Sequence, residues 1–169
     1  MKIVVEAVVI APIAEVWRAY TSPEDIQQWN AASDNWHTTR ASVDLRVGGA
    51  FSSRMEAKDG SVGFDFEGTY TNVQPERLLE YSFGDRTAQV EFDGEASGVR
   101  VRVTFDSEST HPVELQKQGW QAILDNFKKQ VAPHPPRLRA ASSARRNSTR
   151  AKLLKSGTRW QLFFYCAPR

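Results

Sequence analysis

Only three residues of this chain have the types and the setting that acid-base catalysis needs. Asp34 and His37 are three positions apart after a predicted helix, where a buried imidazole paired with a carboxylate can act as a general base. Tyr81 is the third candidate, because a phenol hydroxyl can orient a bound ligand or transfer a proton. The plainer interpretation of a histidine in a loop is a solvated side chain.

Other patterns that carry chemistry are missing from the sequence. The histidines His37, His111 and His134 are scattered, and no zinc or di-iron spacing joins them. Cys166 is the only cysteine, which rules out an intramolecular disulfide and a CxxC site. The sequence also has no nucleophile elbow, P-loop or dinucleotide-binding glycine motif. We therefore predict no metal and no cofactor.

Large apolar side chains give a stronger signal than titratable ones. They recur on one face of several predicted strands and on the last predicted helix, so they are expected to point into a common interior. One interpretation is a cavity for a hydrophobic or amphipathic ligand, and the other is a filled core. The predicted lining is Trp36, Phe51, Met55, Phe66, Tyr81, Phe92, Trp120 and Leu124. Asp34 and His37 are expected to flank the mouth of this cavity.

The elements that would position these side chains follow from periodicity. A β-branched strand over 2–10 precedes two short helices, which begin at Pro12 and at Ser22-Pro23, with the Ser22 hydroxyl as the predicted cap of the second. Alternation of period two, interrupted by glycine, proline and aspartate turns, then predicts six more strands. These strands cover 36–45, 49–57, 62–73, 77–83, 87–93 and 98–106.

The last helix is predicted over 112–131, with Trp120, Leu124 and Phe127 on one apolar stripe. Strands in hairpin order favour an antiparallel sheet, so we predict an α+β helix-grip fold: seven curved strands around a long C-terminal helix, with two short helices after strand 1. Gly119 would either let helix and sheet approach or leave space beside Trp120.

The charge is unevenly distributed, which divides the chain in two. Residues 1–132 contain 13 Lys and Arg and all 20 Asp and Glu, whereas residues 133–169 contain nine basic residues and no acidic one. The folded domain is therefore predicted over 1–132, and 133–169 is interpreted as a basic, disordered or non-native tail. A tether to nucleic acid or anionic lipid is the alternative for that tail alone. No nucleic-acid site is expected in the folded domain.

Several segments together resemble the SRPBCC, or START-like, superfamily, in the branch similar to the activator of the heat-shock protein 90 ATPase. They occur in the family's order and cover about three quarters of the chain. The resemblance implies a helix-grip with an internal pocket, in a family that includes lipid carriers and polyketide cyclases. The matching segments are Ile10-Ala11-Pro12, Val16-Trp17, Thr21-Ser22-Pro23-Glu24, Ile26 with Trp29, Gly48-Gly49, Gly68-Thr69-Tyr70, Val73-Gln74-Pro75-Glu76-Arg77-Leu78 and Gly119-Trp120-Gln121-Ala122-Ile123-Leu124.

Three functions are compatible with these patterns. The first is binding of a hydrophobic small molecule in the cavity, which the scarcity of titratable residues favours over catalysis. The second, implied by the resemblance, is regulation of a chaperone ATPase through the surface. The third is a cyclase-, aromatase- or hydrolase-like enzyme using the same cavity. No apolar run is long enough to span a membrane, so a cytoplasmic protein is expected. The oligomeric state, a homodimer included, is left open.

Overall fold

The computed structural model describes residues 1–132, and the prediction of a disordered or non-native tail over 133–169 lies outside the described residues. Seven strands and three helices form this part of the chain. In chain order they are β1 (Lys2–Val9), α1 (Ile13–Thr21), α2 (Pro23–Trp29), β2 (Trp36–Val43), β3 (Ala50–Ala57), β4 (Gly63–Gln74), β5 (Leu78–Phe83), β6 (Arg86–Glu95), β7 (Gly98–Asp106) and α3 (Val113–Val131).

The strands form one antiparallel sheet in the order β1-β7-β6-β5-β4-β3-β2. Strands β2 to β7 follow one another as hairpins, and β1 pairs along its whole length with β7, from Lys2 opposite Asp106 to Val9 opposite Val99. Hairpin connections of this kind allow each strand to pair with its neighbour in sequence. The predicted α+β helix-grip with a seven-stranded antiparallel sheet is confirmed.

The sheet buries one face, as the alternation in its strands predicts. On β7 the side chains of Val99, Val101, Val103 and Phe105 are at most 2% exposed, while the residues between them are half-buried. Because side chains of a strand alternate between faces, all four point to the concave side. This face holds the main core.

The two short helices connect β1 to β2 and cover one end of the concave face. Val16 and Trp17 on α1 and Ile26 and Trp29 on α2 are buried. The predicted cap of α2 is wrong in one detail, because the Ser22 hydroxyl donates to the Glu24 carboxylate (2.7 Å) and not to the backbone. The proline at the first position of α2 starts this helix without that cap.

Helix α3 lies against the concave face and is attached to β1 and β7 at one edge of the sheet. The Trp120 ring stacks on Phe105 of β7, with ring centroids 4.1 Å apart and an interplanar angle of 17°. Buried Gln116 fixes the start of the helix, since its side-chain amide bonds the backbone of Glu108 and His111. Gln121 donates to the backbone carbonyl of Glu6 on β1 (3.1 Å).

On the outer face, an ion pair ties the end of β1 to β7. Lys2 Nζ lies 2.9 Å from the Asp106 carboxylate, which also accepts hydrogen bonds from the backbone and hydroxyl of Thr87 on β6. These hydrogen bonds and the charge of Lys2 hold the pKa of Asp106 well below its ordinary value. Within residues 1–132, none of the helices is both long and apolar enough to cross a bilayer.

Candidate ligand-binding cavity

A cavity of about 90 Å³ separates part of α3 from the sheet. The space is several times the roughly 10–15 Å³ that a cavity needs to hold one water molecule. It is smaller than the roughly 300 Å³ at which pockets for drug-sized ligands begin. The lining is mostly apolar and consists of Tyr20, Ile26, Trp29, Asn30, Phe51, Ser53, Met55, Phe66, Tyr70, Leu79, Tyr81, Val103, Trp120, Ile123 and Leu124.

The end of α2 is fixed beside the cavity by three side-chain hydrogen bonds. Trp29 Nε1 donates to the carbonyl of Ala19 (2.9 Å), and Thr38 Oγ1 of β2 donates to the carbonyl of Asn30 (2.6 Å). One residue further on, the carbonyl of Ala31 accepts a hydrogen bond from the Asn126 amide of α3. Because these partners come from α1, β2 and α3, this wall of the cavity is held from three sides.

Strands β3, β4 and β5 form the floor, and a glycine makes room for its central ring. Gly68 of β4 lies directly opposite Phe51 of β3. A Cβ at Gly68 would meet the carbonyl oxygen of Ser82 and lie only 2.7 Å from Phe51 Cζ. The Phe51 ring therefore occupies the place of a side chain at position 68, and from there it packs against Tyr70 (5.2 Å) and Tyr81 (5.0 Å).

Three tyrosines of the cavity lining come from three different elements, α1, β4 and β5. Tyr70 and Tyr81 are cross-strand partners on β4 and β5, and a bulge follows Tyr70 in the β4–β5 ladder. Tyr20 comes from α1, where its ring stacks on Trp29 (centroids 5.2 Å apart) and contacts the edge of Phe127. Rings packed in this way have little freedom to turn, so the hydroxyls are held in place.

Within residues 1–132, these hydroxyls have no protein partner. None of Tyr20, Tyr70 and Tyr81 makes a side-chain hydrogen bond there, and no polar side-chain atom is both enclosed and unpaired. Each hydroxyl oxygen therefore keeps some accessible surface, and all three residues line the cavity. Tyr70 and Tyr81 are nevertheless only 6% and 7% exposed, and Ser53, whose hydroxyl is unpaired in the same way, is 5% exposed.

The hydroxyls keep their protons at neutral pH. Burial raises the pKa of Tyr70 to about 12. Burial, with a contribution from Tyr70, also raises the pKa of Tyr20. The pKa of Tyr81 is raised by burial and then by the neighbouring Tyr20 and Tyr70. The Tyr70 and Tyr81 rings lie close together, with centroids 6.4 Å apart.

Gly119 of α3 is buried, yet a Cβ placed there would have no atom within 4 Å beyond its own helix and chain neighbours. Of the two roles expected for this glycine, the structure therefore favours the second, which is to leave space beside Trp120. The glycine contributes to loose packing on the helix side.

Six of the eight predicted lining residues border the cavity: Phe51, Met55, Phe66, Tyr81, Trp120 and Leu124. Trp36 and Phe92 do not. Trp36 begins β2 opposite Ala57, and it packs beyond Met55 against Phe64 in a separate cluster. Phe92 lies behind Tyr20, with its ring 5.4 Å from that tyrosine and 5.2 Å from Trp17.

The two other catalytic candidates lie away from the cavity. His37 pairs across β2 and β3 with Glu56, so it points to the outer face, while its neighbours Trp36 and Thr38 are buried on the inner one. Asp34 is exposed in the loop before β2. The expectation that this pair flanks the cavity mouth is therefore corrected. Within the described residues, no group of three or more His, Cys, Asp or Glu could hold a metal ion.

Sequence reasoning missed several lining residues although it placed most of them in the core. Tyr20, Ile26 and Trp29 belong to apolar faces that the helix period predicts, but periodicity does not reveal which part of the concave face a helix covers. Tyr70 and Ser53 could have been predicted, because strand alternation places them on the same face as the predicted lining residues of β3 and β4. Asn30, which ends α2, has no signal in the sequence.

A curved antiparallel sheet that encloses a cavity beneath a long helix defines the helix-grip class of proteins. Comparison with protein families agrees, because the profile of the family "Activator of Hsp90 ATPase homolog 1-like protein" matches residues 10–132. The chain belongs to this family. A comparison with curated proteins found no match of significance.

Solved structures of similar proteins support the same assignment. The solution structure of the AHSA1-like protein from Aeromonas hydrophila is 49% identical, with a TM-score of 0.74, and the match covers 78% of this chain and 92% of that one. Chr148 from Cytophaga hutchinsonii is 44% identical, with a TM-score of 0.68, over 76% and 90% of the two chains. CV1439 from Chromobacterium violaceum, at 24% identity over 79% and 99% of the chains, shares the fold with a TM-score of 0.69.

Proposed function

We propose that the protein binds a small hydrophobic or amphipathic molecule in the cavity between α3 and strands β3, β4 and β5. The observation that carries the proposal is a space within the core, lined by aromatic rings and by hydroxyls that have no protein partner within residues 1–132. Protein interiors contain few voids larger than a water molecule. A ligand would account for the space and would give the hydroxyls a partner.

The size of the cavity limits the ligand. A volume of about 90 Å³ is smaller than the roughly 150 Å³ of a cavity that binds benzene, so a single-ring molecule is the largest that enters with small movements of the lining. A longer ligand would require flexible lining side chains to move, and Met55 is the best suited because an unbranched thioether adopts several shapes at low cost. The apolar rings would supply most of the affinity.

Catalysis has less support than binding. The cavity lining contains no Asp, Glu, His, Lys, Arg or Cys, and the tyrosines that it does contain are held protonated by burial. A phenol with a raised pKa is a poor base at neutral pH, although it donates hydrogen bonds well. Retained hydroxyl protons thus favour recognition of a ligand over proton transfer.

Regulation of a chaperone ATPase rests on the family description alone. It is tested directly by measuring ATP hydrolysis by an Hsp90-type chaperone with and without the full chain. Faster ATP hydrolysis in the presence of the chain would support this second function. Equal stimulation by a variant with a filled cavity would show that the effect does not depend on ligand binding.

The binding proposal is tested by titrating toluene into the protein and following side-chain methyl signals by NMR. Saturable shifts are expected at methyl groups that line the cavity, those of Met55, Leu79 and Leu124, while the methyls of Val99 and Val101 should stay nearly unchanged. Equal shifts in both groups, or no saturable shift with any single-ring compound, would contradict the proposal.

A matched pair of variants locates the site. Ser53→Leu fills part of the cavity and should weaken toluene binding by tenfold or more. Ser52→Leu adds the same side chain to the opposite face of β3 and should leave binding unchanged. Equal effects of the two substitutions would place the ligand elsewhere.

A further inference from the structure

The hydroxyls of Tyr20, Tyr70 and Tyr81 suggest which chemical group a ligand carries. All three line the same cavity, come from two walls of it and make no hydrogen bond within residues 1–132. A cavity that served only an apolar molecule would be expected to lack them, because a hydroxyl that such a molecule shields from water without pairing it costs about 1–3 kcal/mol. Their convergence therefore requires an explanation of its own.

The chemistry of these hydroxyls favours an oxygen acceptor. A phenol that cannot ionise is a better hydrogen-bond donor than acceptor, and burial keeps all three tyrosines protonated. Ser53 adds a fourth hydroxyl from the floor of the cavity. Two or three donors can converge on the lone pairs of one carbonyl oxygen or be satisfied by one ligand hydroxyl and a water.

The charge of the lining excludes an ionised acceptor. Among residues 1–132, no Lys, Arg or His lines the cavity. The free energy needed to remove a carboxylate from water, with no cation beside it, is far larger than the free energy gained from hydrogen bonds with neutral hydroxyls. A carbonyl group is uncharged and needs only hydrogen-bond donors. The preferred group is thus polar and uncharged.

We propose that Tyr20, Tyr70 and Tyr81 form a donor cluster that recognises a neutral oxygen acceptor, such as a ketone, on an otherwise apolar single-ring ligand. This inference rests on the proposed function, since it assigns the polar end of the same cavity. The apolar rings would bind the body of the ligand, and the donor cluster would set its orientation and its selectivity.

The test uses three probes of nearly the same shape: acetophenone, in which the carbonyl is present, α-methylstyrene, in which a methylene replaces the oxygen, and benzoate, which is charged. The full chain should bind acetophenone about 5- to 50-fold more tightly than α-methylstyrene, and benzoate most weakly. Affinities come from NMR titration of the lining methyl groups. This comparison needs no variant, so it does not depend on how any substitution affects folding.

Single substitutions then identify the donors. Tyr70→Phe and Tyr81→Phe should each weaken acetophenone binding about 2- to 10-fold and change α-methylstyrene binding less than twofold. Ser52→Ala, which removes a hydroxyl from the outer face of β3, is the control and should change neither. Thermal unfolding of each variant verifies that it is folded.

The outcomes separate this inference from the proposed function. If acetophenone and α-methylstyrene bind equally and neither phenylalanine variant discriminates between them, the donor cluster is overturned while binding in the cavity stands. Tightest binding of benzoate would overturn the neutral character of the acceptor. If none of the three probes binds and toluene does not bind either, both the binding proposal and the donor cluster are overturned.

Discussion

The concave face of the sheet has two halves that are packed differently. Over β1, β6 and β7, which we call the solid half, valines and one phenylalanine are at most 2% exposed: Val5, Val9, Val90, Val99, Val101, Val103 and Phe105. Over β3, β4 and β5, the open half, the same helix covers the cavity, with the hydroxyls of Tyr70 and Tyr81 facing it. Val103 lies at the boundary and also borders the cavity.

The difference indicates that one half of the sheet provides stability and the other provides space for a site. Close-packed aliphatic side chains in the solid half gain the burial free energy that holds α3 in place. The open half can then keep features that cost stability, namely the empty volume of the cavity and hydroxyls that have no partner within residues 1–132. Sites where local packing rules are broken are where function is expected.

The largest effect is expected from Phe105→Ala in the solid half. The side chain is fully buried and stacks on Trp120, so its loss should reduce the free energy of unfolding by about 3–5 kcal/mol. Urea denaturation measures the change. Thr104→Ala, on the outer face of the same strand, should stay within about 0.5 kcal/mol. A loss below about 1 kcal/mol for Phe105→Ala would mean that the solid half does not carry the fold.

A second, intermediate effect compares the two halves by adding a hydroxyl to the solid half and removing one from the open half. Val101→Thr puts an unpaired hydroxyl into the solid half and should cost about 1–3 kcal/mol. Ser53→Ala removes one from the open half and should be neutral within about 0.5 kcal/mol, because that hydroxyl has no protein partner. Both values come from denaturation curves. Similar costs in the two halves would remove the distinction between them.

The third effect is a pH dependence confined to the open half. The pKa of Tyr70 is about 12 in the folded protein and about 10 in an unfolded chain. A pKa raised by folding stabilises the fold below about pH 10, and this contribution is lost as the pH rises towards 12. The ultraviolet absorbance of phenolate, followed with rising pH in the native and in the urea-denatured protein, tests this shift.

Tyr70→Phe provides the control for that titration, because it should remove one late-ionising group and reduce the alkaline loss of stability. If the native protein ionised all four of its tyrosines near pH 10 while its circular dichroism stayed unchanged, the hydroxyls of the open half would not be buried. Tyr20 and Tyr81, whose pKa values are also raised, should ionise only as the fold is lost.

The smallest effect is a gain in stability. Gly119→Ala adds a methyl group where no atom lies within 4 Å and improves helix propensity, so it should stabilise the protein by up to about 1 kcal/mol. Ala122→Gly, in the same helix, is the reciprocal control and should destabilise by a similar amount. Thermal unfolding measures both. Destabilisation by Gly119→Ala would show that α3 already packs tightly there.

Much of the fold is predictable because it depends on local patterns. The alternation of Val99, Val101, Val103 and Phe105 predicts both the strand and its buried face, and Pro12 and Pro23 predict where the short helices begin. The ends of strands are harder to predict from the sequence than the strands themselves. β6 extends to Glu95, beyond the predicted end at 93, since Glu95 still pairs with Gly98 across the turn.

The cavity is less predictable, because it depends on how helices sit over the sheet. Phe92 shares the inner face with true lining residues, yet Tyr20 of α1 covers it, and no sequence period specifies that overlap. The bulge after Tyr70 likewise has no clear signal. The position of His37 could have been predicted, because alternation with buried Trp36 and Thr38 directs it outwards.

The hydrogen bond from Gln121 to the Glu6 carbonyl has a consequence for association between molecules. β1 is an outermost strand of the sheet, and such strands can add a strand from a second molecule through their free backbone groups. In this protein the Gln121 side chain of α3 already donates a hydrogen bond to one of those carbonyls, and α3 lies beside β1. Growth of the sheet at this border, the first step of fibril-like aggregation, would have to displace the helix that completes the fold.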